Sequence, residues 1–148
     1  MSYNNISELP KNEITKSITK VDLSHNKLAS LDTSLQLFDH VQNLNISFNQ
    51  ISKLPNNFSS SGLIEINLNN NQLLSLNAKN LIRIGTLKVL RLNNNRLKLV
   101  EFSEDFMKES KVSTLEYDGN DFENKYFKEL PGYDEFEKRV AKLIMKKE

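Results

Sequence analysis

One eleven-residue pattern occurs five times along this chain of 148 residues. In each copy, apolar side chains occupy positions one, four, six and eleven, and an asparagine occupies position nine. The asparagines follow one another at intervals of 22 to 25 residues, at Asn26, Asn49, Asn71, Asn95 and Asn120. A unit that recurs at this period predicts a solenoid, in which each unit buries its apolar side chains by stacking on its neighbours.

The centre of each copy alternates between apolar and other residues, as in Leu44-Asn45-Ile46. Alternation with a period of two is typical of a β-strand, so we predict one strand per copy in a parallel sheet. The asparagine follows where the chain must bend. Its amide offers two donors and an acceptor, so we predict that a column of asparagines satisfies the backbone groups of successive bends.

The segments between the copies differ in their predicted structure. We predict short helices at residues 31–38, capped by Asp32 or Thr33, at residues 77–85, ended by Gly85, and from Ser103 onward. The second return, residues 54–62, is rich in turn-forming residues and predicts no helix.

We expect a single domain over residues 1–148. Residues 1–15 indicate an incomplete repeat that we call the half-repeat. Asn4 lies 22 residues before Asn26, an interval that matches the repeat period. The five repeats follow at 16–122, and 123–148 form a helical cap. Its apolar residues recur at helical spacing, at Tyr133, Phe136, Val140, Leu143 and Ile144. This helix either only covers the open end of the core or also docks on a partner.

The composition excludes several functions. The chain has 20 Lys and Arg against 19 Asp and Glu, and no cysteine. We therefore expect no direct contact with nucleic acid or a membrane, and no disulfide or cysteine-built zinc site. Its two histidines, His25 and His40, lack a nucleophile pattern, and there is no glycine-rich phosphate loop. We therefore expect a protein that is not an enzyme and uses no metal, cofactor or small molecule. Because the sequence shows no secretory signal and no membrane-spanning segment, we expect a cytoplasmic protein, with a nuclear location as the alternative.

Residues 18–122 resemble the small intracellular leucine-rich repeat proteins, on the strength of the five in-phase copies. The resemblance implies an α/β solenoid: a curved right-handed superhelix with the parallel sheet on its concave face and short helices or turns on its convex face. Cytosolic and nuclear members of this family act mainly as scaffolds. They include regulatory subunits of a phosphatase, a dynein light chain and a splicing protein. Residues 129–134 are similar to the ending of some small cytosolic members.

The outward-facing positions predict an amide-rich, nearly neutral concave face. We predict that a partner binds there, at the candidate residues Phe48, Arg91, Val89, Glu65, Asn67, Asn45 and Glu116. Phe48 is a candidate anchor because aromatic side chains and arginine are enriched at binding hot spots. Alternatively, Phe48 packs against its own repeat, and Arg91 forms only a surface ion pair.

The size of the face indicates the kind of partner. Five or six strands of five residues cover roughly 24–29 Å by 16 Å, which is less than the ~800 Å² that each partner usually contributes to an interface. A helix or a short peptide therefore fits best.

We expect a scaffold or adaptor that acts within a larger complex. On its own, the chain is expected to be monomeric. Three alternatives stay open: a component of an RNA–protein particle, a regulatory subunit of a phosphatase or motor complex, and self-association.

Overall fold

A computed structural model describes residues 3–9, 17–31, 38–58 and 60–147. These residues form a parallel sheet of five strands in chain order. The strands are β1 (Lys20–Asp22), β2 (Asn43–Asn45), β3 (Glu65–Asn67), β4 (Val89–Arg91) and β5 (Thr114–Glu116). Equivalent positions of the repeats are neighbours, since Leu44 pairs with Val21 on one side and with Ile66 on the other. Each strand has three residues rather than the expected five, so the sheet is narrower than the sequence predicts.

Helices fill the returns in the second half of the chain. The structure has α1 (Ala78–Arg83), α2 (Glu104–Glu109) and α3 (Tyr133–Met145), and 3₁₀ turns at Leu99–Glu101 and Asn124–Glu129. Helix α1 packs beside α2, and α2 packs beside α3. Because these helices and the sheet both contribute to one buried core, the core lies between them.

The structure confirms some of the predictions for the segments between the repeats and not others. Ser103 caps α2, because its side chain accepts a hydrogen bond from the Phe106 N–H at 3.2 Å. The second return has no helix in its described residues, as predicted. Helix α1 ends before Gly85, but Gly85 is not in the left-handed conformation, so the prediction of a glycine stop of that kind is wrong. The predicted helix at 31–38 lies mostly outside the described residues, as do its caps Asp32 and Thr33.

Aliphatic side chains of the repeats stack into a continuous core, and the returns add phenylalanines to it. Five of these phenylalanines are almost completely buried: Phe38, Phe58, Phe102, Phe106 and Phe127. The returns therefore add large rings as well as aliphatic residues such as Leu81 and Ile84 to the aliphatic layer of the sheet.

Aromatic side chains close the core at its C-terminal end. Tyr117 occupies a position that holds leucine or isoleucine in the other repeats, and its ring stacks on Phe127 with centroids 3.9 Å apart. Burial raises the pKa of the Tyr117 hydroxyl above its ordinary value. Phe136 of α3 is also buried. Ile144 was predicted to share the apolar stripe of this helix but is 56% exposed, because the stripe turns away from the core near the end of α3.

Asparagine side chains connect each repeat to the one before it. The amide nitrogen of Asn95 donates to the carbonyl of Leu92 in its own bend and to the carbonyl of Leu68 in the preceding repeat, both at 3.0 Å. Its amide oxygen accepts from the Leu73 N–H, also at 3.0 Å. The same three kinds of contact recur at the equivalent asparagines Asn49, Asn71 and Asn120. The predicted column of asparagines is present and joins the repeats.

The residue before each of these asparagines has a left-handed backbone. This position has a positive φ in every copy, at His25, Phe48, Asn70, Asn94 and Gly119, and in the N-terminal half-repeat at Tyr3. Only glycine adopts this conformation freely, and asparagine tolerates it better than most residues. At Gly119, where φ is +72°, a Cβ would lie 2.3 Å from the Asn94 amide oxygen, so a side chain there would be strained and would require Asn94 to shift.

An arginine of α3 caps the end of α2. The guanidinium of Arg139 donates to the carbonyls of Met107, Lys108 and Val112 at 2.7, 3.2 and 3.0 Å. The last carbonyls of a helix have no partner within the helix, so a cation placed there satisfies them and complements the helix dipole. Burial lowers the pKa of Arg139 from its ordinary value. This side chain holds α3 to the rest of the fold.

We predict that Asn95→Ala lowers the free energy of unfolding by at least about 2 kcal/mol, because each unsatisfied buried group costs about 1–3 kcal/mol. The matched control is Asn94→Gly, which keeps the left-handed backbone and loses an exposed hydrogen bond to Asn70. Urea unfolding should place this control within about 0.5 kcal/mol of wild type. Equal losses for the two variants would contradict the role given to the buried amide.

We predict that Arg139→Met lowers the free energy of unfolding by about 1.5–3 kcal/mol, because bonds to charged groups lie in that range. Lysine lacks the planar fork that reaches several carbonyls together, so Arg139→Lys should fall between wild type and Arg139→Met. Lys138→Met, on the exposed neighbouring residue, is the control for lost charge. Urea midpoints measure all three variants. A Lys variant as stable as wild type would show that charge alone is sufficient.

Candidate interaction surface

The outward side chains of the strands form a polar surface, which we call the sheet face. Its members are Lys20, Asp22, Asn43, Asn45, Glu65, Asn67, Val89, Arg91, Thr114 and Glu116. Over β1, β2 and β3 this face contains an open depression of about 290 Å³, lined mainly by polar side chains. The floor of the depression includes the strand residues Val21 and Leu44.

Arg91 lies between two carboxylates on the sheet face. Its Nε donates to the Glu65 carboxylate at 2.9 Å, and its terminal nitrogen pairs with the Glu116 carboxylate. The hydrogen bond to Glu65 is the main reason why the pKa of Arg91 is raised above its ordinary value. The three side chains are each about one-third exposed. Two carboxylates and one guanidinium leave one net negative charge at the centre of the face.

Amide groups surround this ion pair. The Asn43 amide donates to Glu65 at 3.3 Å. The Glu116 carboxylate accepts from Asn93 at 3.2 Å and from Asn69 at 3.4 Å. The carboxylates therefore have a fixed arrangement before any partner arrives, and a partner would meet a preformed polar network rather than mobile side chains.

The third strand position also shapes the turn that follows each strand. The side-chain oxygens of Asp22, Asn45 and Asn67 accept from the N–H two residues further on, at 2.9, 3.1 and 3.0 Å. In the first two repeats they also accept from the hydroxyls of Ser24 and Ser47. The period-two alternation of the repeats predicts that these serines face outward, but both are only 5% exposed, because they turn back towards the strand-end side chain.

Phe48 lies beside the sheet face rather than on it. It occupies the left-handed position after β2, and its ring stacks on the His25 ring with centroids 4.2 Å apart. His25 stacks in turn on Tyr3 at 4.0 Å. We call these three rings the aromatic column. Phe48 packs on the neighbouring repeat instead of its own, and remains 48% exposed.

The spacing of the aromatic column was visible in the sequence. Tyr3, His25 and Phe48 each precede an asparagine of the repeat series. Tyr3 lies directly before Asn4, the residue that marks the half-repeat, and so stands outside the pattern that predicts the candidates. Comparing the residues before each asparagine would have placed the three rings in one stack.

The structure brings together only some of the predicted candidates. Glu65, Arg91 and Glu116 form one cluster, and Asn45 and Asn67 pair in register beside it. Phe48 lies at the carboxyl ends of the strands. Val89 faces α3 at the opposite edge, where it lines a second groove with residues of that helix.

The described residues hold no group of three or more His, Asp or Glu side chains that could bind a metal. None of the described helices has both the length and the apolar character needed to cross a membrane.

A family model described as Leucine Rich Repeat matches residues 40–61, which contain β2 and the asparagine bend after it. The structure repeats this matched unit along the parallel sheet. Repeats of this family are general protein–protein interaction modules, typically without catalytic activity.

We predict that Asp22→Asn removes a pH dependence of stability. The hydrogen bond from the Ser24 hydroxyl is the main reason why the pKa of Asp22 is lowered. A lowered folded pKa adds stability above the unfolded value of about 3.9 and loses it as the pH falls further. Asn45 already makes the same bonds in the next repeat, so the variant should match wild type at pH 7 and exceed it near pH 3. Thermal melting between pH 7 and pH 3 measures this difference. If the melting temperatures of wild type and variant fell by the same amount over this range, Asp22 would not be the source of the pH dependence.

Proposed function

Because the chain is a leucine-rich repeat protein, we propose that it is a non-catalytic scaffold or adaptor that binds a helix or a short peptide on its sheet face. The observation that carries this proposal is the open, preformed polar depression over β1, β2 and β3. A helix is about 10–12 Å wide, and strands lie about 4.8 Å apart, so a helix covers two to three strands. That width matches the depression.

The chemistry of the face favours a polar or basic binding segment. The Glu65–Arg91–Glu116 cluster carries one excess negative charge, and the amides around it can donate to or accept from a peptide backbone. Phe48 adds an exposed ring at the edge, where an apolar residue of the partner can pack. Val89 offers apolar contact towards the opposite edge.

The same cluster argues against direct RNA binding on this face. Single-stranded RNA binds basic grooves with stacking platforms. Here the guanidinium on the face is already paired with two carboxylates. We therefore favour a protein partner over the RNA–protein particle, and we infer that the chain belongs to a larger assembly of the cytoplasm or nucleus.

We infer one domain over 1–148, with a half-repeat at 1–15, repeats at 16–122 and a helical cap at 123–148. We also infer that the chain is monomeric on its own.

Site-specific photo-cross-linking tests the proposed site. A photoreactive residue replaces Asn67 on the sheet face or, as a control, exposed Lys79 on α1. In cells that naturally express the chain, we expect a discrete cross-linked protein from position 67 and none from position 79. Phe48→Ala should weaken the product from position 67. Products only from position 79 would overturn the sheet-face site, and a product containing a second copy of the chain would indicate self-association.

A further inference from the structure

A second surface lies where α3 meets the beginnings of β4 and β5. It is a groove of about 410 Å³, and in the described chain none of its lining residues is acidic. Its cationic members are Lys88, Lys111, Arg139, Lys142, Lys146 and Lys147. We call it the basic groove. A chain whose overall formal charge is only +1 concentrates much of its positive charge here.

The lysines of the basic groove lack salt-bridge partners within the described chain, and Arg139 is attracted by the Glu135 carboxylate, which lies one turn earlier on α3. Among the described residues, no carboxylate forms a salt bridge with any of its five lysines. Arg139 donates to neutral carbonyls, which orient its guanidinium but do not cancel its charge. Like charges placed close together on a helix are mildly destabilising. Arg139 stabilises the fold as the cap of α2, but the five lysines give the folded chain no evident stability benefit, and they are free to attract an anion.

The walls and floor of the groove have different chemistry. Arg139 and Lys142 lie on one face of α3 at helical spacing, and Lys146 follows directly after the helix. Lys88, which immediately precedes β4, and Lys111, which precedes the β5 repeat unit, stand opposite. The floor includes half-buried Val89 and Leu143.

We propose that the basic groove binds a short acidic peptide segment of a partner protein, with an apolar residue seated between its carboxylates. Cationic walls complement the acids, and the apolar floor receives the side chain between them. A peptide fits better than a bilayer, because the floor is recessed below the lysines. It also fits better than a nucleic acid, because no aromatic ring among the described residues lines the groove for base stacking.

This surface is separate from the depression over β1, β2 and β3, so the two proposals can fail independently. The basic groove lies at the edge where the chain enters β4 and β5. The aromatic column lies at the edge where it leaves β1 and β2. Variants of the groove therefore leave Phe48 and the depression unchanged.

Fluorescence anisotropy on the full chain tests the proposal with a labelled peptide of glutamate and aspartate around a central leucine. We expect Lys142→Glu with Lys146→Glu to weaken binding at least about tenfold, because the α3 wall would then carry two acids that repel the acidic peptide. Lys142→Arg with Lys146→Arg keeps the charge and should bind within about twofold of wild type. The charge-matched control is Lys79→Glu with Lys128→Glu, two exposed lysines outside the groove. Circular dichroism verifies that every variant is folded.

Three results would overturn the proposal. The first is a dissociation constant for the peptide weaker than about 1 mM at 50 mM salt. The second is an equal loss in the groove variant and the charge-matched control, which would show attraction by net charge alone. The third is tighter, groove-dependent binding of phosphatidylserine vesicles or a single-stranded RNA oligomer, which would assign the groove to a different class of ligand.

Discussion

The fold depends on the hydrogen bonds that each repeat asparagine makes across two repeats. A strand of three residues buries too little apolar surface to define its own position. The amide of Asn95 ties the bend of its repeat to backbone groups of the preceding repeat on both its donor and acceptor sides. The same bridge recurs along the stack, so the register of one repeat sets the register of the next. This is the nearest-neighbour coupling from which a solenoid derives its stability.

The asparagine bridge also determines which surfaces can vary. To place the asparagine inward, the residue before it must adopt a left-handed backbone, and its side chain then points away from the core at the edge of the sheet. That position holds three aromatic rings at the N-terminal end, two asparagines in the middle, and Gly119 where a Cβ would displace the Asn94 amide. The left-handed backbone is strained at Phe48 and His25, and the stacking of their rings offsets part of this strain. A position with strict backbone geometry can therefore carry very different side chains.

Sequence reasoning located the features that depend on local pattern. The strands, the asparagine column, the Ser103 cap and α3 all follow from residues a few positions apart. The features that it missed depend on contacts between distant residues. The carbonyl partners of Arg139 lie 27 to 32 residues away, so nothing near Arg139 marks it as a helix cap. Ser24 and Ser47 were placed outward by strict alternation, but the strand ends after its third residue and the alternation ends with it. The basic groove was hidden because its lysines come from two separate repeats and from the end of the chain at α3, and because acids elsewhere balance the total charge.

The two candidate surfaces meet at β4, and this has a consequence for how a partner would lie. Arg91 and Val89 are two residues apart on the same strand, so they point to the same side. Arg91 belongs to a cluster with one excess negative charge, whereas Val89 lines the floor of the basic groove. A segment that crosses from one surface to the other would meet opposite charges along its length. Such a segment can bind in only one direction, because reversing it would place its acids against Glu65 and Glu116 and its basic residues against the lysines.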